Sequence, residues 1–306
     1  MAQITAALVK ELRDKTAAGM MDCKKALNET GGDLEAAIDW LRTKGIAKAD
    51  KKSGRVAAEG LVALAQGGKT AALVEVNSET DFVSRNEEFQ ATVASIAELA
   101  LGNANTAELA AAKMAGGETV TEHMTALVAK IGENMNMRRM ERLQVENGTV
   151  AGYMHNAVSG NMGKIGVLVA LESTADEAKL TELGKKIAMH VAATNPLALN
   201  VEDLDASVVD KERQMLADEA RESGKPEAII DKMVEGRMTK FFKESVLMTQ
   251  IFVMDGERSI EAVIADEAKA LGADIKMTGY VRMALGDGIE KKEEDFAAEV
   301  AAVAGA

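Results

Sequence analysis

One pattern constrains this chain more than any other. A strand, a turn, a second strand and a helix are written twice, about 88 residues apart, Gly60 answering to Gly148. The first copy sets Gly60-Leu61-Val62-Ala63-Leu64 and Thr70 to Val76 around the turn Gln66-Gly67-Gly68-Lys69, short apolar runs bounded by glycine that predict a hairpin. A helical pattern then begins near Ser84, with Glu87 at the spacing of a capping box, and runs through Phe89, Val93, Ile96 and Leu99. The second copy opens at Gly148 to His155 and passes a Gly-rich loop into Lys164 to Leu171. It continues in a helix capped by Asp176, with Leu180, Leu183, Ile187 and Val191 on one face. Two such units predict an α+β multidomain protein whose core is two related subdomains, each with an antiparallel sheet, packed side by side. A further helix is expected over Val120 to Ile131, and a late strand, Lys276 to Ala284, is placed to complete the second sheet.

The flanking and inserted segments are helical. Ile4, Leu8 and Leu12 recur at helical spacing, and Met20 to Asn28 forms a second helix ended by Gly31-Gly32. Asp33 caps a third, carrying Leu34, Ala37, Ile38 and Leu41, with Gly45 as its stop and Ile46 to Arg55 as linker. From Pro196 to Glu244, two amphipathic stretches flank the turn Ser223-Gly224-Lys225-Pro226, the pattern of an antiparallel helical hairpin. The division expected is 1–55 for the three-helix unit and linker, 56–147 and 148–290 for the two core units, and 291–306 for an acidic tail. The second core unit includes the hairpin at about 196–244 and a C-terminal helix module at about 257–275.

Charge narrows the partners. The net charge is −13, yet residues 1–55 carry 11 Lys and Arg against 8 Asp and Glu. An acidic surface repels phosphate backbones, so no direct nucleic-acid binding is expected. A single cysteine, Cys23, excludes an internal disulfide. No apolar run reaches the length of a membrane helix, and the first residues lack the features of a signal peptide; a cytoplasmic protein is expected.

No catalytic constellation assembles. His123, His155 and His190 lie on different elements, and there is no HExxH pair, nucleophile elbow or phosphate loop. Gly160 to Gly166 is Gly-rich but has the spacing of a hairpin turn. Neither a cofactor nor chemistry of the chain's own is expected. Attention falls instead on Asn77-Ser78-Glu79-Thr80-Asp81-Phe82-Val83, where a strand gives way to a helix. A phenyl ring there is either tucked in as a staple or held out to enter a partner, and position alone leaves both open.

Leu12-Arg13 with Thr16 and Met20-Met21-Asp22-Cys23-Lys24-Lys25-Ala26-Leu27, together with Asn77 to Val83, resemble the two signatures of the elongation factor Ts family. The resemblance continues through Ala129 to Asn134, Ile165 to Val169, Ile187 to Ala192, Gly224-Lys225-Pro226, Met233 to Arg237 and Gly286 to Lys291, in order along the chain. It implies a UBA-like three-helix bundle, a two-subdomain core, a protruding coiled coil and a C-terminal helical module. It also implies guanine nucleotide exchange on elongation factor Tu, bound in its GDP and nucleotide-free states. By the resemblance, Thr80, Asp81, Phe82 and Val83 dislocate the partner's Mg²⁺, with Phe82 facing outward, while Arg13, Met20, Met21 and His155 touch the partner. Two departures stand out: Ala17 where the family favours glycine, and a longer loop from Asn156 to Lys164. The alternative is a UBA-like interaction adaptor without exchange activity. A homodimer or a 2:2 complex with the partner stays open.

Overall fold

The computed structural model describes residues 4–16, 18–224 and 226–290; the expectations for Ala17, for Lys225 and for the acidic tail 291–306 fall outside that set. The chain opens with helices α1 (Ala6–Thr16), α2 (Met20–Glu29) and α3 (Leu34–Lys52). They enclose a small core of Leu12, Cys23, Ala26, Leu27 and Ala37. The first core unit follows: β1 (Glu59–Gly67), β2 (Thr70–Ser78), α4 (Glu87–Ala100), α5 (Thr106–Ala111), α6 (Val120–Ile131) and β3 (Met135–Gln144). The second comprises β4 (Gly148–His155), β5 (Met162–Gly163), β6 (Ile165–Ser173), α7 (Glu177–Thr194), the inserted α8 (Ala206–Glu222) and α9 (Glu227–Ser245), α10 (Ile260–Leu271) and β7 (Ile275–Ala284).

Two antiparallel sheets result, ordered β3-β2-β1-β5 and β4-β6-β7. Strand β1 explains why they stack. Its odd-numbered Leu61, Ala63 and Ala65 face the helices α4 and α6, while Val62 and Leu64 face the other sheet. Both faces of such a strand are buried, so its sequence reads as a continuous apolar run. Val62, Leu64 and Leu73 of the first sheet meet Val150, Leu168 and Met283 of the second. The layers are helix, sheet, sheet, helix, with α7 and α10 outermost on the second unit. The units therefore do more than lie side by side, since their sheets share an inner core.

The duplication runs further than the strands read from sequence. Helix α6 is capped by Thr119 and closed by left-handed Gly132, and α10 by Ser259 and left-handed Gly272. Each leads into a ten-residue strand at the same relative position. Strand β3 escapes the sequence reading because Arg138, Arg139, Glu141 and Arg142 hide its alternation, although Met135 and Met140 are buried. The short α5 escapes it as well.

Several boundaries differ from expectation. Helix α3 does not stop at Gly45 but continues to Lys52. A mid-helix glycine costs about 1 kcal/mol against alanine, which Ala47, Lys48 and Ala49 offset. Gly45 faces α6, where a Cβ would meet that of Ala129 at 3.5 Å, an ordinary contact. The loop after His155 is no plain hairpin turn: Met162 and Gly163 form β5 and pair with Ala63 and Val62. This covers an edge strand that would otherwise expose its backbone groups. Helix α10 starts at Ile260, because Ser259 accepts from Ala262 N–H at 3.1 Å.

The inserted α8 and α9 pack through Leu216, Ala220, Ile230, Val234 and Met238. Their base is tied to the second unit. The Tyr280 hydroxyl donates to Pro196 O at 2.8 Å, and buried His190 bonds Gln250 Oε1 through Nε2 at 2.8 Å. Burial, with the charge of Asp203 nearby, pushes the Tyr280 phenol up to about 12.

Candidate functional site

In the second unit, three residues (Thr174 to Asp176) connect strand β6 to helix α7. In the first unit, eight residues (Glu79 to Asn86) make the corresponding step. The extra length is the candidate site. Helix α4 begins at Glu87 and not near Ser84, because Asn86 is the cap and accepts from Phe89 N–H at 3.0 Å. Ser84 is engaged elsewhere: its hydroxyl donates to Asp81 O at 2.5 Å within a single 3₁₀ turn, Val83–Arg85.

That turn orients its members differently. Val83 is buried in the helix-facing core of the first unit. Phe82 is 76% exposed, so the ring is held out and not tucked. Asp81 is exposed as well, with Arg85 3.8 Å from its carboxylate. An exposed phenyl group forfeits about 2 kcal/mol of burial.

The base beneath the ring is made rigid by two carboxylates from opposite directions. Glu133, just after α6, accepts from Thr80 N–H at 3.0 Å and from Thr80 Oγ1 at 2.7 Å. Glu79 accepts from Asn134 N–H at 2.6 Å and pairs with Arg55 at 3.3 Å. The Asn134 side chain then donates to the carbonyls of Arg55 at 2.7 Å and Ser53 at 3.4 Å. The turn, the α6–β3 junction and the end of α3 thus meet at one node.

Behind the node lies a buried charge. Glu75 has no exposed surface and receives Arg138, Arg139, Asn77 and the Gly286 N–H, the last at 2.8 Å. Burial alone would raise its carboxyl pKa. The bonds from Gly286, Asn77 and Arg139, with the charge of Arg139, outweigh that and hold it below the usual carboxylate value. Arg139 also donates to Ala284 O at 3.0 Å, so this cluster fastens the end of β7 to the first sheet.

His155 ends β4, is exposed, and lies with Nδ1 3.1 Å from the Tyr153 hydroxyl. It pairs with Ile165, which pairs in turn with Ala284. Ala284 and Gly286 are the groups bound by Arg139 and Glu75, so His155 stands at the same end of the stacked sheets as the Phe82 turn. Arg13, Met20 and Met21 are also exposed, Met20 by 61% and Met21 by 75%, but they belong to the separate three-helix core. That core reaches the first unit through α3 against α6, with an Arg42–Glu122 ion pair.

Sequence reasoning assigned no role to Glu133, Asn134, Arg55 or Glu75. The available signal was the resemblance run Ala129 to Asn134, in which an acid and an amide directly follow the glycine that closes α6. Among the described residues, no group of three or more His, Cys, Asp or Glu is arranged to hold a metal. No helix there is long and apolar enough to cross a membrane.

Comparison with known proteins agrees with this geometry in extent. The family described as Elongation factor TS matches residues 79–287, from the Phe82 turn to the end of the second sheet. The chain is 60% identical to elongation factor Ts of Rhodospirillum centenum, over 100% of both chains. It is 59% identical to that of Sphingopyxis alaskensis, again over 100% of both, and 57% identical to that of Caulobacter vibrioides, over 100% of this chain and 99% of the other. This chain belongs to the elongation factor Ts family.

Proposed function

We propose that this chain is a guanine nucleotide exchange factor for elongation factor Tu, acting in translation elongation by binding the GDP form and promoting release of GDP. The observation that carries the reading is the 76% exposed Phe82 on a turn locked by Glu79 and Glu133. A rigid aromatic held in water loses little conformational entropy on binding and serves as an anchor for a partner pocket. Asp81 beside it offers a carboxylate to the same pocket.

Release of GDP needs no bond cleavage. A GTPase grips the diphosphate through backbone donors and a Mg²⁺ that demands near-ideal octahedral oxygen ligands. Thr80, Asp81, Phe82 and Val83 form the wedge: Val83 roots it, Thr80 holds it, and Asp81 with Phe82 enters near the partner's Mg²⁺ and displaces the groups that order it. His155 touches the same partner surface from the second sheet. Arg13 with Met20 and Met21 forms a second contact, where exposed thioethers adapt to an apolar patch. The three N-terminal helices serve as a UBA-like docking unit, and α8 with α9 as a coiled-coil arm.

Linkage limits the action. The factor weakens nucleotide binding by the same ratio as nucleotide weakens binding of the factor. Exchange therefore speeds in both directions, and excess GTP sets the outcome. The test is release of a fluorescent GDP analogue from elongation factor Tu. The chain at micromolar concentration should accelerate release by about ten-fold or more. An unchanged release rate despite complex formation would leave only an adaptor role.

A further inference from the structure

We propose that Glu133 is a positioning residue for exchange: its carboxylate fixes the Thr80-Asp81-Phe82 turn and so sets the direction in which the Phe82 ring projects. The inference rests on the exchange reading above and deepens it. Glu133 binds the backbone N–H and the hydroxyl of the same residue, Thr80, at 3.0 and 2.7 Å. Two charge-assisted bonds to one residue fix both its peptide plane and its side chain. Ser78 Oγ holds the Thr80 carbonyl from the other side at 2.9 Å. Phe82 lies two residues further, so a rotation at Thr80 would swing the ring.

The chain carries its own control. Gly132 and Gly272 close the equivalent helices α6 and α10, both in the left-handed conformation. The first is followed by Glu133-Asn134 and the second by Ala273-Asp274. The unit with the carboxylate has the eight-residue connection bearing Phe82; the unit with a methyl group has the three-residue connection and no projecting aromatic. A residue needed only to leave the helix and enter the strand would be required in both units. Directly after the glycine, a carboxylate accompanies the projecting turn alone; the second unit's acid, Asp274, stands one residue later.

The experiment uses the full chain with Glu133→Ala, Glu133→Gln and Thr80→Val, each alone and in a Phe82→Ala background. Release of a fluorescent GDP analogue is followed over a range of factor concentrations, separating maximal rate from half-saturating concentration. Glu133→Ala should lower the maximal rate by about ten-fold or more and move half-saturation by less than about three-fold. Glu133→Gln, which keeps one acceptor for Thr80, should recover part of the rate, and Thr80→Val, which loses the hydroxyl bond but keeps the N–H bond, should likewise lose only part of it. In the Phe82→Ala background none of them should matter further, because Glu133 acts through the ring.

A full maximal rate in Glu133→Ala, or an equal loss with and without Phe82, overturns the proposal. Should Glu133→Ala fail to fold, the partial loss in Thr80→Val, and its disappearance in the Phe82→Ala background, carries the test. Amide hydrogen exchange separates this proposal from the exchange reading. The Thr80 amide should exchange about ten-fold faster in Glu133→Ala, and an unchanged rate there removes the clamp even if wild type accelerates release.

Discussion

Gly60 and Gly148 occupy the same point in the two units, and both take a left-handed φ, 120° and 114°. A Cβ at Gly60 would lie 2.2 Å from Val76 O, and one at Gly148 would lie 2.1 Å from Leu171 O. Close to the partner of each, the pairing with the outer strand shifts register, β2–β3 between Glu75 and Val76 and β6–β7 between Ala170 and Leu171. The bulge and the glycine are one device used twice, bending the strand pair where it wraps the helices.

Alanine at either position meets backbone, which no rotamer change relieves. Gly60→Ala and Gly148→Ala should each destabilise by about 3 kcal/mol or more in urea unfolding. Gly236→Ala is the contrast. That helical position has nothing within 4 Å of a new Cβ, and the change should be neutral or stabilise by about 1 kcal/mol.

Glu75 predicts the acid limit of the core. Its folded pKa lies below the ordinary carboxylate value of 4.5. The unfolded chain therefore binds the proton first, and the stabilisation is complete above about pH 4.5 and lost as pH falls through the folded pKa. Glu75→Ala should cost about 3–5 kcal/mol at neutral pH, since it strands Arg138 and Arg139, and should flatten the dependence below pH 4.5. Urea midpoints across the acid range check both.

His190 gives a second, separate pH response. Burial lowers its pKa, the bond that Nε2 donates to Gln250 Oε1 opposing. Nδ1 accepts from Val253 N–H at 3.3 Å while Nε2 bonds Gln250 Oε1, so the neutral ring fits and the imidazolium does not. With a folded pKa below the ordinary 6.5, stability is full above that value and declines as pH falls through the folded pKa. His190→Gln should remove that decline, measured as the melting temperature between pH 7 and 5.

Asn134 ties the end of α3 to the node under the Phe82 turn. Asn134→Ala releases the carbonyls of Ser53 and Arg55. Trypsin should then cleave at Lys52 and Arg55 several-fold faster, about the effect of losing two hydrogen bonds, with the core left intact. Equal cleavage rates would place the restraint elsewhere.

Much of this was legible in the sequence where local rules and tertiary packing agree. The hairpin Glu59–Ser78, the cap Asp176 and the helix Val120–Ile131 are written in turn residues and apolar spacing. Strand β3 was not legible, because Arg138 and Arg139 are strand residues for a tertiary reason: they complete a buried carboxylate on the neighbouring strand. Gly45 misled because it keeps a helical backbone within α3 and does not take the left-handed conformation with which a glycine ends a helix. At the site, the strand-to-helix position of the turn was readable from local pattern, while the outward direction of Phe82 followed from the family resemblance and not from position. That direction depends on Glu133, 51 positions beyond Phe82, and no local pattern joins them.

The central claim is that Phe82 drives the release of nucleotide. Stopped-flow release of a fluorescent GDP analogue from elongation factor Tu, with wild type and Phe82→Ala at saturating concentration, tests it most directly. The account predicts that Phe82→Ala still binds, through Arg13, Met20, Met21 and His155, but loses most of the acceleration, about ten-fold or more. Undiminished acceleration by Phe82→Ala would contradict it and move the active contact to another surface of the chain.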